Sequence, residues 1–108
     1  MANTFKSAAT GSNTNTTTLY TCPAATSAVV HAMYLSNIDG TNDATVSISV
    51  SGSANFDDRR YLLKTVAVPA DSTVVIEKPI NLGASDKLET QASADDDIDV
   101  FASILEIT

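Results

Sequence analysis

A chain of 108 residues with 44 % hydrophobic residues can build one domain around one core without metal or disulfide staples, and it is no disordered tail. Tryptophan is absent and aromatics make up only 6 %, so the core must rest on Val, Ile, Leu and Ala. Thirteen acids against six bases give a net charge of −7. The one adjacent basic pair, Arg59 and Arg60, directly follows Asp57 and Asp58, so no phosphate-neutralising surface and no nucleic-acid partner are expected.

The opening stretch "MANTFKSAATG" lacks the apolar segment of a signal peptide, and no apolar run approaches the roughly 18–20 residues that span a bilayer, so no membrane partner is expected. Cys22 is the single cysteine, which rules out an intrachain disulfide and agrees with assembly in a reducing cytoplasm. The small polar stretch "SAATGSNTNTTT" reads as a loop or frayed terminus, with an extended N-terminal arm over residues 1–18 as the alternative and "TFKSA" as a segment that could pair.

From "TTTLYTC" onward, short β-branched segments alternate with turn clusters, the mark of a sandwich or barrel. "SAVVHAMYLSN" is apolar on both faces, with Val29, His31, Met33 and Leu35 on one side and Ala28, Val30, Ala32 and Tyr34 on the other. "ATVSISVSG" alternates cleanly, Val46, Ile48 and Val50 against Thr45, Ser47, Ser49 and Ser51. The loop "IDGTND" joins these two, and together they read as a long hairpin. "RRYLLKTVAV" follows; "PADS" turns it into "TVVIEK", which Pro79 ends. "INLGAS" turns through Gly83 into "DKLETQA", and "SADDD" forms the tip of a last hairpin leading to "IDVFASILEI". The expectation is an all-β chain, a single antiparallel β-sandwich domain over residues 1–108, jelly-roll-like or immunoglobulin-like, with about eight strands.

Two oxygen-rich stretches raise the question of a cation. Asp95, Asp96, Asp97 and Asp99 form one; Asp39, Asn42 and Asp43 form the other. A calcium ion needs six to eight converging oxygens. Consecutive extended residues diverge, and no EF-hand spacing is present. Carboxylates about 6 Å apart in water repel by only about 0.7 kcal/mol. Both stretches therefore read as solvated turns, with a cation site as the alternative, and no metal or other cofactor is expected. His31 has no second ligand nearby and reads as a packed or interface histidine. Cys22 has no base beside it, and four scattered glycines make no phosphate cradle, so no enzyme is expected.

The last strand carries more information. Ile98, Val100, Ala102 and Ile104 make one apolar face, yet Phe101, Leu105 and Ile107 stand on the other with Asp99 and Ser103. Tyr34 and Ile38 pose the same problem on the earlier strand. A second apolar face on so small a domain points to contact with another subunit, with Tyr34, Ile38, Phe101, Leu105 and Ile107 as its residues and the aromatics as anchors.

The segments "LYTCPAATSAVVHAMYLSN" and "YLLKTVAVPADSTVVIEKPINLGASDKLETQASADDDIDVFASILEI", covering residues 19–107, resemble small all-β virion structural proteins of tailed bacteriophages. Shared are the "LYT-P" entry, the "VPA-ST-V" turn and the closing "DV-AS-LE" strand; "GASD" stands where "AGD" is commoner. The resemblance implies a capsid cement or decoration protein that bridges coat subunits, in the virion and assembled in the host cytoplasm. Its partners would be the major capsid protein or other virion proteins and further copies of itself, a trimer among the arrangements. The alternative it leaves open is an accessory tail, collar or baseplate protein, including a carbohydrate-binding module. It carries over no active-site residue.

Overall fold

The computed structural model describes residues 2–52 and 59–108, and Asp57 and Asp58 lie outside them. Nine strands and no helix run through the described residues: β1 Asn3–Ser12, β2 Thr17–Thr21, β3 Ser27–Asn37, β4 Ala44–Ser51, β5 Arg60–Val68, β6 Thr73–Ile76, β7 Ile80–Leu82, β8 Lys87–Ala92 and β9 Ile98–Ile107. They form two antiparallel sheets. The first, sheet A, has the order β1-β9-β3-β6, with β7 also pairing β3; sheet B has the order β2-β8-β4-β5.

The pairing is nested. β1 pairs β9, β2 pairs β8, β3 pairs β6 and β7, and β4 pairs β5. The chain is thus one long antiparallel ribbon, folded back at the β4–β5 connection and rolled so that β9 also meets β3 and β8 also meets β4. That is the jelly roll, and it decides between the two sandwich forms the sequence left open.

Rolling the ribbon overturns the two expected hairpins, and the "PADS" turn also joins strands of different sheets. β3 and β4 lie in different sheets, as do β5 and β6, and β8 and β9. The loops "IDGTND", "PADS" and "SADDD" do turn the chain, but each carries it across the sandwich rather than into a neighbouring strand. Asn37 anchors the first crossing: its buried amide donates to the carbonyls of Asn42 and Val68 at 3.0 and 2.9 Å, and its Oδ1 accepts the Asp39 N–H at 2.9 Å. The N-terminal stretch is neither a frayed end nor a free arm, because β1 pairs β9 residue for residue from Asn3–Ile107 to Ser12–Ile98. Together with the short β7, this makes nine strands where about eight were expected.

The core lies between the sheets and is aliphatic. Ile98, Val100, Ala102 and Ile104 on β9 are fully buried, as are Val46 and Ile48 on β4, with Val50 nearly so, in agreement with the alternation of those strands. The β3 pattern differs. Its pairing with β9 slips between Val30 and Ala32, where His31 is the extra residue of a bulge. Ala28 and Val30 face the core before the bulge, and Met33 and Leu35 face it after. A strict two-residue period cannot represent that change of phase. It puts Val29 and His31 inward, whereas Val29 is half-buried and His31 exposed.

In the β7–β8 turn, Ser85 takes φ of +71°, in the left-handed region that favours glycine. Asp86 closes the turn by accepting the Gly83 N–H at 2.8 Å.

Candidate functional site

The outward face of sheet A is built by the strand register. Val75, Tyr34, Phe101 and Ala9 stand directly opposite one another across β6, β3, β9 and β1. Val29, Leu105 and Phe5 form a second such row. Ser27, Ile107 and Asn3 form a third, and Ala32, Ser103 and Ser7 lie between. The rings of Tyr34 and Phe101 pack with centroids 6.2 Å apart, and those of Phe5 and His31 with centroids 6.4 Å apart. Phe5 is 79 % exposed, Tyr34 45 % and Phe101 42 %. Aliphatic side chains fill the core, while these aromatics stand in solvent, the reverse of what stability alone would favour. On these rows, the neighbouring Ser36–Asp99–Gly11 row and the His31 bulge, the only acidic or basic side chains besides the Tyr34 phenol are His31 and Asp99. Beside the first row lies an open concavity of about 410 Å³, lined among others by Ala9, Thr10, Tyr34, Asp99 and Phe101.

Four of the five residues expected at a subunit contact, Tyr34, Phe101, Leu105 and Ile107, stand together on this face. Ile38 lies just past the end of β3, 56 % exposed, its N–H bonded to the Asp97 carbonyl. Phe5, Val29 and Val75 complete the face and were missed as its members, and His31, read as a packed or interface histidine, joins them. Phe5 lay in "TFKSA", read only as a segment that could pair, and the bulge hid the true side of Val29 and His31. The only signal for β1 was the weak alternation of Phe5, Ser7, Ala9 and Gly11.

The aspartates occupy one end of the sandwich and are spread over its crossing loops. Asp39 accepts the Thr41 and Asn42 N–H groups at 2.8 and 3.2 Å, which holds its carboxyl below the usual range. Asp43 accepts the Ala70 N–H at 3.0 Å, and Asp95 accepts the Thr14 N–H at 3.0 Å. Desolvation, then the neighbouring Asp39 carboxylate, pushes Asp97 up. Asp95, Asp96 and Asp97 thus belong to a crossing between sheets, with Asp96 at φ of +64°, and not to a hairpin tip. Among the described residues, no three of His, Cys, Asp and Glu gather where one metal ion could bind them.

One polar bridge ties the sheets together near β1. The Tyr20 hydroxyl on β2 donates to Glu106 Oε2 on β9, and Lys6 Nζ on β1 lies 3.2 Å from Glu106 Oε1. Glu106 is nearly buried. The Tyr20 bond, opposed by desolvation and helped by Lys6, holds the Glu106 carboxyl below its ordinary value; burial and Glu106 push Tyr20 up. Cys22 is buried in the core, and burial pushes its thiol up, away from a reactive thiolate.

Fold and site together define a jelly-roll sandwich with one polar and one apolar outer face. No protein-family profile matches the chain, and no curated protein matches it in sequence. Its structure is similar to a chain of the T13 IBDV viral particle, with a TM-score of 0.59 at 10 % sequence identity. The likeness covers 96 % of this chain and 30 % of that one, and at this identity what the two share is the fold.

Proposed function

We propose that the protein is a non-enzymatic structural component of a virion, a capsid cement or decoration protein of a tailed bacteriophage, assembled in the host cytoplasm. The observation that carries this reading is the largely apolar, nearly charge-free outer face of sheet A, which carries the exposed Tyr34–Phe101 pair. Support for the virion comes from the jelly-roll likeness to a viral-particle chain and from the "LYT-P" and "DV-AS-LE" resemblance. The mechanism is burial repeated by symmetry. Each copy places the same apolar face against coat protein or its own neighbours, so that contacts weak one at a time sum over the particle.

Replacing Phe101 and Leu105 together by Ser should leave the fold intact and weaken particle binding or self-association at least about tenfold, as for loss of a central aromatic anchor. Sedimentation with purified particles measures this. Wild-type binding and oligomeric state in the double variant would overturn the assignment of the face. Electron microscopy of intact particles tests the location: density on the shell supports cement, and density on the tail sinks it in favour of a tail accessory protein.

A further inference from the structure

The sandwich has four edges, and three of them are guarded against pairing with another strand. β2 is five residues long and slips between Thr18 and Tyr20. β5 pairs irregularly at two places, carries Arg60 and Lys64, and holds Thr65 at φ of +55°. β6 and β7 are four and three residues long and are separated by a stretch containing Pro79. Short strands, bulges, charges and proline are the devices that keep sheet edges from adding strands. β1 has only one of them, a single lysine. It runs ten residues in unbroken register against β9, contains no proline, and its one charge, Lys6, is tied to Glu106.

We propose that β1 is a dimerisation edge, pairing antiparallel with β1 of a second copy about a two-fold axis at Ser7. This rests on the outer face of sheet A being a contact surface, and not on the virion role. In this register Phe5 of each copy stands opposite Ala9 of the other, on the same outward face. Ala9 is the small residue at the end of the Val75–Tyr34–Phe101 row and lines the concavity there. Phe5, the most exposed large apolar side chain among the described residues, is therefore carried to the other copy's hollow, and the reverse contact follows from symmetry. The charges agree with the register. Lys6 faces Ala8, whereas an axis at Lys6 would set two ammonium groups directly opposite, and an axis at Ala8 would set Phe5 against Gly11. The paired edges join two copies of sheet A into one continuous sheet and make one apolar face of two.

A cysteine at position 7 tests the axis. Opposed Cα atoms in an antiparallel pair lie about 4.5–5.5 Å apart, within disulfide reach. Ser7→Cys should therefore cross-link into a dimer under mild oxidation. Ser103→Cys, on the same face one strand further in, should not, because three strand spacings of about 4.8 Å separate the two copies there. In sedimentation equilibrium the unmodified chain should dimerise, and Phe5→Ser should weaken the dimer at least about tenfold. Folded Ser7→Cys protein that stays monomeric on oxidation would overturn the proposal. So would equal cross-linking at position 103, an unchanged dimer in Phe5→Ser, or a trimer as the only oligomer. A strict monomer that still binds particles would overturn the dimer alone; a dimer with no affinity for particles would overturn the virion reading alone.

Discussion

The two sheets of this sandwich turn opposite kinds of surface outward. Sheet B presents Thr45, Ser47 and Ser51 from β4 beside Glu89 and Gln91 from β8, with Tyr61 of β5 opposite the buried Ser49, and Ser47, Ser51, Glu89 and Gln91 bond to one another or to the backbone. Ser51 donates to Glu89 Oε1 at 2.8 Å, Arg59 Nε lies 3.3 Å from the same oxygen, and Ser47 accepts the Thr65 N–H at 2.9 Å. Sheet A presents Phe5, Val29, Tyr34, Val75, Phe101, Leu105 and Ile107, interspersed with small polar residues such as Ser7, Ser103 and the bonded Ser36–Thr73 pair. The core is shared, so stability does not explain the difference. A polar face finishes its hydrogen bonding within the chain, whereas an apolar face gains free energy only when something covers it.

The comparison breaks first on β9, whose two sides belong to core and surface. Ile104→Ala empties a fully buried site and should cost about 2–5 kcal/mol. Leu105→Ala, one residue on and half-buried on the outer face, should cost under about 1 kcal/mol in the isolated protein. Urea unfolding of the two variants decides; equal losses would make the outer face a second core and remove the reason to seek a partner.

A middling effect belongs to the inter-sheet bridge. Tyr20→Phe leaves the nearly buried Glu106 carboxylate short of a donor and should cost about 1–2 kcal/mol. Glu106 also sets an acid limit. Its folded pKa lies below the unfolded value of about 4.3, so the bridge contributes fully above that pH and is lost as pH falls through the folded value. Glu106→Gln should flatten this part of the stability–pH curve, and thermal melts between neutral pH and pH 3 should show it, with an unchanged slope in the variant counting against the bridge.

On the polar face, Ser47→Ala removes the acceptor for Thr65 N–H and should cost about 0.5–1.5 kcal/mol with no change in association. A change in oligomeric state there would mean that sheet B also meets a neighbour. The smallest effect lies in the β7–β8 turn. Ser85→Gly relieves the left-handed backbone, at the cost of a more flexible unfolded chain, and should raise stability by at most about 1 kcal/mol, read as a small rise in Tm.

Much of this was legible in the chain itself. The alternation of Val46, Ile48 and Val50, and of Ile98, Val100, Ala102 and Ile104, named the core face of two strands, because a pleated strand sends successive side chains to opposite sides. The same rule showed that Phe101, Leu105 and Tyr34 had no core to enter. Local alternation carries no information about which strand is the neighbour. The turn residues of "IDGTND" and "SADDD" reverse the chain equally well within a sheet or across a sandwich, and only the packing of two sheets chose the crossing. The phase change at His31 came from pairing with β9, and the strand character of Asn3–Ser12 came from the free edge that β9 offered. Composition and alternation thus determined a β-sandwich with an aliphatic core and an apolar surplus. Tertiary pairing alone gathered that surplus from β1, β3, β6 and β9 onto one face, because contacts between residues distant in the chain are set by burying the whole core and not by any segment's own pattern.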